Sequence, residues 1–310
     1  MAMNAVTKGN RRMLGNLLLI LTAMIWGTAF VAQRVGMESI EPITFAAARM
    51  ALAAVAVGLV ALLTGRDGRL PEAERARRRK NNLMGGVCCG VFLASASVTQ
   101  QMGLVTTTAG KAGFITAMYM LLVPVINFAL FRKKNTWLVW LAVLIGVAGM
   151  YLLCVNEGFS LTRGDALVCV CAVLFSGHIL CCDHFAPLGD PIRISAIQFA
   201  VATLICGVAA FILEAPTWEK VASAGIPIAY CGIMSGGVGY TLQIVAQRFT
   251  DPTVASLLMS LESVFAAIAG ALILGERMRP REFMGCVVMF IAIVLVQLPL
   301  PKRRRGGGAA

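Results

Sequence analysis

The stretch LGNLLLILTAMIWGTAFVAQR, residues 14–34, is an almost unbroken apolar run closed by Gln33 and Arg34. At 1.5 Å of rise per residue, about 20 such residues cross the roughly 30 Å of a bilayer's hydrocarbon. Its landmarks return farther along the chain. Gly15-Asn16, Trp26, Pro42 and Arg49 recur at one constant shift as Gly164-Asp165, Phe175, Pro191 and Gln198. The same pattern of spans is written twice.

Reading outward, comparable runs predict spans at 13–33, 42–63, 83–101, 109–131, 137–155, 164–182, 194–213, 225–247, 254–274 and 283–300. The composition agrees, since 58% of the chain is hydrophobic and 14% charged, with mean hydropathy +0.80. A water-soluble domain could not cover itself with so few polar groups. Connections are short except for 64–82, a basic segment read as a loop. Lys8, Arg11 and Arg12 precede the first span as in a secretory signal, but no small-residue cleavage site closes it, so it reads as an uncleaved helix.

The net charge of +12 is spread between apolar runs instead of being gathered on one face, which argues against a nucleic-acid partner. Counted by side, 19 of the 27 Lys and Arg fall on one set of alternating segments and seven on the other, with Arg49 inside the second span. The positive-inside rule then puts both termini in the cytoplasm. Arg277, Arg279 and Arg281 run against that count, flanked by Glu276 and Glu282. The lipid bilayer is the first partner expected, and the inner (plasma) membrane of a bacterium the expected location.

Later landmarks repeat at a shorter shift, with Pro124 set against Ser263 and Gly146 against Gly285. The long basic segment of the first half largely explains the difference. Two repeats follow, 1–155 and 156–310, each with five spans. Five is odd, so the second copy enters the membrane inverted, and the fold class is an all-α integral membrane protein of ten transmembrane helices in two inverted five-helix repeats.

The ten cysteines lie almost wholly in apolar runs, as Cys88-Cys89, Cys169, Cys171, Cys181-Cys182 and Cys286 do. They read as small packing residues, because adjacent helical positions point apart and do not bridge. Gly86 and Gly90, then Gly232 and Gly236, give a GxxxG spacing in each half for close helix contact. Gly237 and Gly239 loosen the eighth span further.

Several stretches resemble the EamA family of the drug/metabolite transporter superfamily. They are MIWGTAFVAQR (24–34), EPITFAAAR (41–49), TTAGKAGFITAMYMLLVPV (107–125), TRGDALVCVCAVLF (162–175) and DPTVASLLMSLESVFAAIAGALILGER (251–277). The resemblance implies the ten-helix inverted-repeat fold, a central cavity, and transport of a small-molecule substrate, an amino acid or related metabolite, often outward. Two positions depart from the family pattern. Ser263 replaces a proline after Leu-Glu, which bears on a helix kink, and Arg132-Lys133-Lys134 replaces a Gly-Glu after the fourth span, which bears on a loop contact.

Polar groups inside spans are the candidates for chemistry, because lipid offers them no partner. Glu262 needs pairing, hydration or a proton near midspan, and is a candidate for binding an amine or carrying a proton; a structural hydrogen bond is the plainer account. Arg49 is its cationic counterpart, or a snorkelling or paired structural residue. Lys111, near the start of the fourth span, either attracts a carboxylate or reaches interfacial water. Trp26, Tyr119 and Tyr240 offer apolar faces with donors, Gln243 lies one turn from Tyr240, and Gln100, Gln101, Gln198 and Gln247 complete the polar set. His178 is a second proton-relay candidate. His178, Cys181 and Cys182 share a helix at metal-ligand spacing, but no second Cys/His cluster accompanies them, so neither metal nor cofactor is expected.

The expected protein is a secondary carrier whose substrate site is built by Trp26, Arg49, Lys111, Tyr119, His178, Tyr240, Gln243 and Glu262, with protons acting through Glu262 and His178. Two alternatives remain at this point: a non-transporting membrane or lipid-handling partner, and a membrane-embedded enzyme. The second lacks HExxH, GxSxG, a Walker loop and a dinucleotide glycine fingerprint.

Overall fold

The computed structural model describes residues 2–64, 71–132, 136–154 and 162–297, and among these every regular element is helical. In chain order these are α1 (Ala2–Gly36), α2 (Pro42–Leu63), α3 (Glu72–Leu104), α4 (Ala109–Thr116), α5 (Tyr119–Phe131), α6 (Trp137–Cys154), α7 (Arg163–Phe185), α8 (Pro191–Leu213), α9 (Trp218–Ser223) and α10 (Gly225–Ala229). A π-helical segment, Tyr230–Tyr240, leads into α11 (Thr241–Gln247), α12 (Pro252–Met259), α13 (Glu262–Ile273) and α14 (Pro280–Gln297). Among the described residues seven stretches are long and apolar enough to cross a membrane, and Trp137–Gly149 and Glu262–Ile273 are shorter apolar helices. Large apolar side chains on the outside, such as Leu63, Phe211 and Leu272, would be out of place on a soluble monomer and suit contact with lipid.

Three features correct the reading of the sequence. The segment 64–82 is not all loop, because α3 begins at Glu72 and carries Arg75 to Lys80 on its first turns, where Glu72 and Glu74 complement the positive helix end. The fourth and ninth spans are each two helices, interrupted at Ala117–Met118 and Ser260–Leu261. The eighth contains the π-helix. The boundary expected at 155/156 and the end of the last span, 298–300, fall outside the described residues.

The breaks have local causes. Pro124 has no N–H for the Met120 carbonyl, and upstream of it the bonds shorten to three-residue steps, Met118 N to Ile115 O, Met120 N to Ala117 O and Leu121 N to Met118 O. In the ninth span Ser263 stands where the family has proline, yet the helix breaks there too. Its hydroxyl donates to the Ser260 carbonyl at 2.7 Å, and Ser263 N and Val264 N make the same three-residue steps. The two breaks are alike in form, each placing a polar residue, Tyr119 or Glu262, at the start of the helix that follows.

α2 lies on α8, α6 on α14, and α4 on α13; α1 touches the π-helix and α13, as α7 touches α3 and α5. Close approach comes from the small residues. A methyl group on Gly90 would sit 2.8 Å from the Gln198 carbonyl of α8, and one on Gly232 would sit 2.9 Å from the Arg49 carbonyl of α2. Both GxxxG pairs thus lie at helix crossings.

Helix starts at one end of the bundle are held from distant loops. Glu276 accepts from Ala109 N at 2.9 Å and Gly110 N at 3.1 Å, and Glu214 accepts from Ile43 N at 3.0 Å and Thr44 N at 2.7 Å. Each carboxylate satisfies orphan donors at the positive end of a helix dipole. Lys220 pairs with Glu41 nearby, and the Arg34 guanidinium donates to the carbonyls of Leu104, Val105 and Thr107. Gly275, next to Glu276, has φ 65°, and Arg132 has φ 52°, a left-handed conformation that suits glycine and strains arginine. Gly275→Ala, with no atom within 4 Å of the added methyl, is expected to cost about 1 kcal/mol, and Arg132→Gly to give a smaller gain. Thermal unfolding of the detergent-solubilised protein checks both; equal signs would refute the backbone account.

Candidate functional site

α1 contributes Trp26, Phe30 and Gln33 to one face, at i, i+4 and i+7. They meet Arg49 of α2, Gln100 of α3, Thr116 at the end of α4, Tyr119 at the start of α5, and Phe175, His178 and Ile179 of α7. Ser235 and Tyr240 of the π-helix, Gln243 of α11 and Glu262 at the start of α13 close a narrow internal cavity of about 30 Å³, room for a water or two in this conformation.

Seven of the eight residues expected at the site therefore line one chamber. The eighth does not: Lys111 reaches away to Asp165 of α7, with Nζ 2.7 Å from Oδ2. Asp165 is fully buried and also accepts from the Thr107 hydroxyl at 2.8 Å. A lysine beside a buried carboxylate is held there by the cost of leaving that charge unpaired, so Lys111 braces α4 on α7. Phe30, Gln33, Thr116, Ile179 and Ser235 were not singled out from the sequence. Helical spacing from Trp26 marks Phe30 and Gln33, and from Phe175 marks His178 and Ile179; nothing local marks Thr116 or Ser235, which depend on the break and the π-helix.

One wall is aromatic. The Trp26 and Tyr240 rings lie 4.5 Å apart at 47°, Phe175 stacks on Tyr240 at 6.5 Å, and His178 stands edge-on to it at 5.6 Å. Trp26 is aimed by a donation from its Nε1 to the Ser235 carbonyl, 3.1 Å away, within the π-helix. π-Helical bonding displaces backbone from the ordinary ladder and gathers at functional sites. Here the glycines at 232, 236, 237 and 239 permit it, and a methyl on Gly239 would sit 2.6 Å from Trp26 Nε1.

The opposite wall is polar. Arg49 is 4% exposed and Glu262 3%, and they do not pair with each other. Arg49 Nε and Nη2, Glu262 Oε1, Tyr119 OH, Gln33 Oε1 and Gln243 Oε1 have no hydrogen-bond partner among the described residues. The Tyr119 hydroxyl stands beside the Glu262 carboxylate. Leaving one buried polar group unsatisfied costs about 1–3 kcal/mol, so a cluster of them facing one space is a surface built to meet a polar guest.

Of the remaining glutamines, Gln100 donates to the Thr116 hydroxyl at 3.3 Å, Gln247 donates to the Ile179 carbonyl at 3.2 Å, and Gln198 lies 3.0 Å from His178 Nε2. Gln101 is buried outside the chamber. His178 and Cys182 approach each other as their spacing implies, and Cys89 of α3 joins them, whereas Cys181 does not.

Apolar helices wrapped around a chamber with buried charge, reached by two broken helices, define a multi-pass membrane protein with an internal polar site. The chain belongs to the EamA-like transporter family, which matches residues 13–155 and again residues 162–298. It is 27% identical to a protein of Archaeoglobus fulgidus named an uncharacterized transporter, over 94% of this chain and 88% of that one. It is 24% identical to the "Uncharacterized inner membrane transporter YedA" of Escherichia coli K12, over 89% and 88%. A third relative, the "Probable terminal-alkyne amino-acid exporter" of Streptantibioticus cattleyicolor, is 22% identical over 93% and 94%. A solved crystal structure shares the fold, with TM-score 0.69 at 15% identity, covering 91% of this chain and 96% of that one. The family and the names of these relatives point to transport, not catalysis.

If Lys111 is a brace, Lys111→Met strands Asp165 and is expected to cost about 3–5 kcal/mol, while adding Asp165→Asn restores much of that. Thermal unfolding of the three variants decides it; a harmless single substitution would return Lys111 to the candidate binding residues.

Proposed function

We propose that this protein is a secondary carrier that exports an amino acid or closely related zwitterionic metabolite across the bacterial inner membrane by alternating access. The carrying observation is that two ionisable groups of opposite sign, Arg49 and Glu262, form no ion pair and face one chamber whose other wall is Trp26, Tyr240 and Phe175. A compound with a carboxylate for Arg49, an amine for Glu262 and an apolar body for the rings meets every orphan charge at once. Tyr119 and Gln243 add neutral hydrogen bonds, and His178 closes the aromatic side.

In this reading residues 1–155 and 156–310 are two inverted five-helix halves, with both termini in the cytoplasm, and they rock about the chamber. The register of the helix ends and of the two breaks supports it, as does a set of packing pairs that maps onto itself when the halves are exchanged. The family's match in two consecutive segments is consistent with it. The amino-acid exporter among the relatives supports the substrate class. Glu262, at the first turn of a half-helix and beside Tyr119, is the group that takes a proton when the amine leaves, with His178 as the second candidate.

Uptake into proteoliposomes of a labelled amino-acid panel, with and without an imposed pH gradient, tests this. Saturable uptake of one zwitterionic class is expected, lost in Arg49→Met. Glu262→Gln is expected to keep the fold and remove the response to the gradient. A folded protein that moves none of the panel sinks the substrate class, and an unchanged response in Glu262→Gln sinks the proton role.

A further inference from the structure

Cys89, Cys182 and His178 form a second cluster beside the chamber, and all three are fully buried. Cys89 comes from α3; Cys182 and His178 lie one turn apart on α7. The two sulfurs are 3.8 Å apart, and Cys182 Sγ is 3.8 Å from His178 Nδ1. The three ligand atoms all lie within 4.8 Å of one another.

Two thiolates bound to one tetrahedral zinc at about 2.3 Å are themselves about 3.8 Å apart, and a thiolate and an imidazole nitrogen on the same ion about 3.6 Å. The sulfur–sulfur and Cys182–His178 separations match that geometry, and Cys89 and His178 lie within 4.8 Å. The histidine is also prepared for it. Its Nε2 lies 3.0 Å from the Gln198 side-chain oxygen, while Cys182 Sγ lies 3.7 Å from Nε2 and 3.8 Å from Nδ1; donation from Nε2 to that oxygen leaves Nδ1 its lone pair for a metal. A ligating histidine is normally fixed in this way by a bond from its other ring nitrogen.

We infer that Cys89, Cys182 and His178 bind a thiophilic divalent d10 cation of the zinc, cadmium and mercury(II) class. Charge selects the valence. On binding, each thiol loses its proton to solvent and forms a metal–sulfur bond, so a divalent ion and two thiolates make a neutral unit. A monovalent ion would leave a net negative charge in a low-dielectric interior, which burial penalises heavily. Three protein ligands leave a fourth position, and His178 also borders the chamber, which gives that position its access. The bound ion would staple α3 to α7.

The test is a titration of the reduced, metal-free, full-length protein in detergent with cadmium(II). One equivalent is expected to bind with thiolate-to-cadmium charge-transfer absorption and release of two protons. Cys89→Ala and Cys182→Ala each remove the band, Gln198→Leu weakens binding about tenfold, and replacing the other eight cysteines by serine leaves it. X-ray absorption of the wild-type complex, which needs no variant to fold, is expected to show two sulfurs and one imidazole nitrogen on the metal. No stoichiometric band in the wild type, a band surviving Cys89→Ala, or a different ligand set would overturn the site and leave the cluster as packed thiols.

Discussion

A bilayer supplies no hydrogen bonds, so a chain that crosses it must satisfy its backbone internally, and irregular backbone survives only where it is sheltered or lines a polar space. Three irregular segments interrupt the described spans: the breaks at Ala117–Met118 and Ser260–Leu261, and the π-helix 230–240. All three meet at the same chamber. That convergence places Tyr119 and Glu262 at helix starts and hands the Ser235 carbonyl to Trp26. The chamber and the irregularities explain each other.

Around that chamber the protein uses its charges in two ways. Glu214, Glu276, Asp165 and Lys111 are consumed by the scaffold, each bonded to a helix start or to an opposite charge. Arg49 and Glu262 have neither kind of satisfaction. Both sets look alike as intramembrane ionisable residues, and what separates them is whether a partner stands opposite.

The sequence carried much of this and missed the rest for identifiable reasons. Span positions were legible because lipid demands long apolar runs, and α2, α8 and the span at 225–247 begin and end close to where hydropathy puts them. The start of α3 was hidden, since its basic first turns are helical by propensity and by the acidic pair Glu72 and Glu74, with no apolar signal. The break near Ser263 was masked by the loss of proline, because a serine hydroxyl bonding back to the chain leaves no unmistakable mark. Lys111 was misplaced because its partner, Asp165, belongs to the other half of the chain. Cys89 was overlooked as a companion of Cys182 for the same reason, for contact between distant spans has no local signature.

The pairing of α2 with α8, α6 with α14 and α4 with α13 has a consequence for biosynthesis. A nascent chain that has released nothing beyond α6 holds Arg49 with Phe175, Tyr240 and Glu262 of the chamber still unmade, and leaves the faces of α2, α4 and α6 to lipid or to the insertion machinery. α13 arrives only near the end of synthesis, bringing both the cover for α4 and the carboxylate. For most of synthesis the chamber's cation is thus in place before its anion exists.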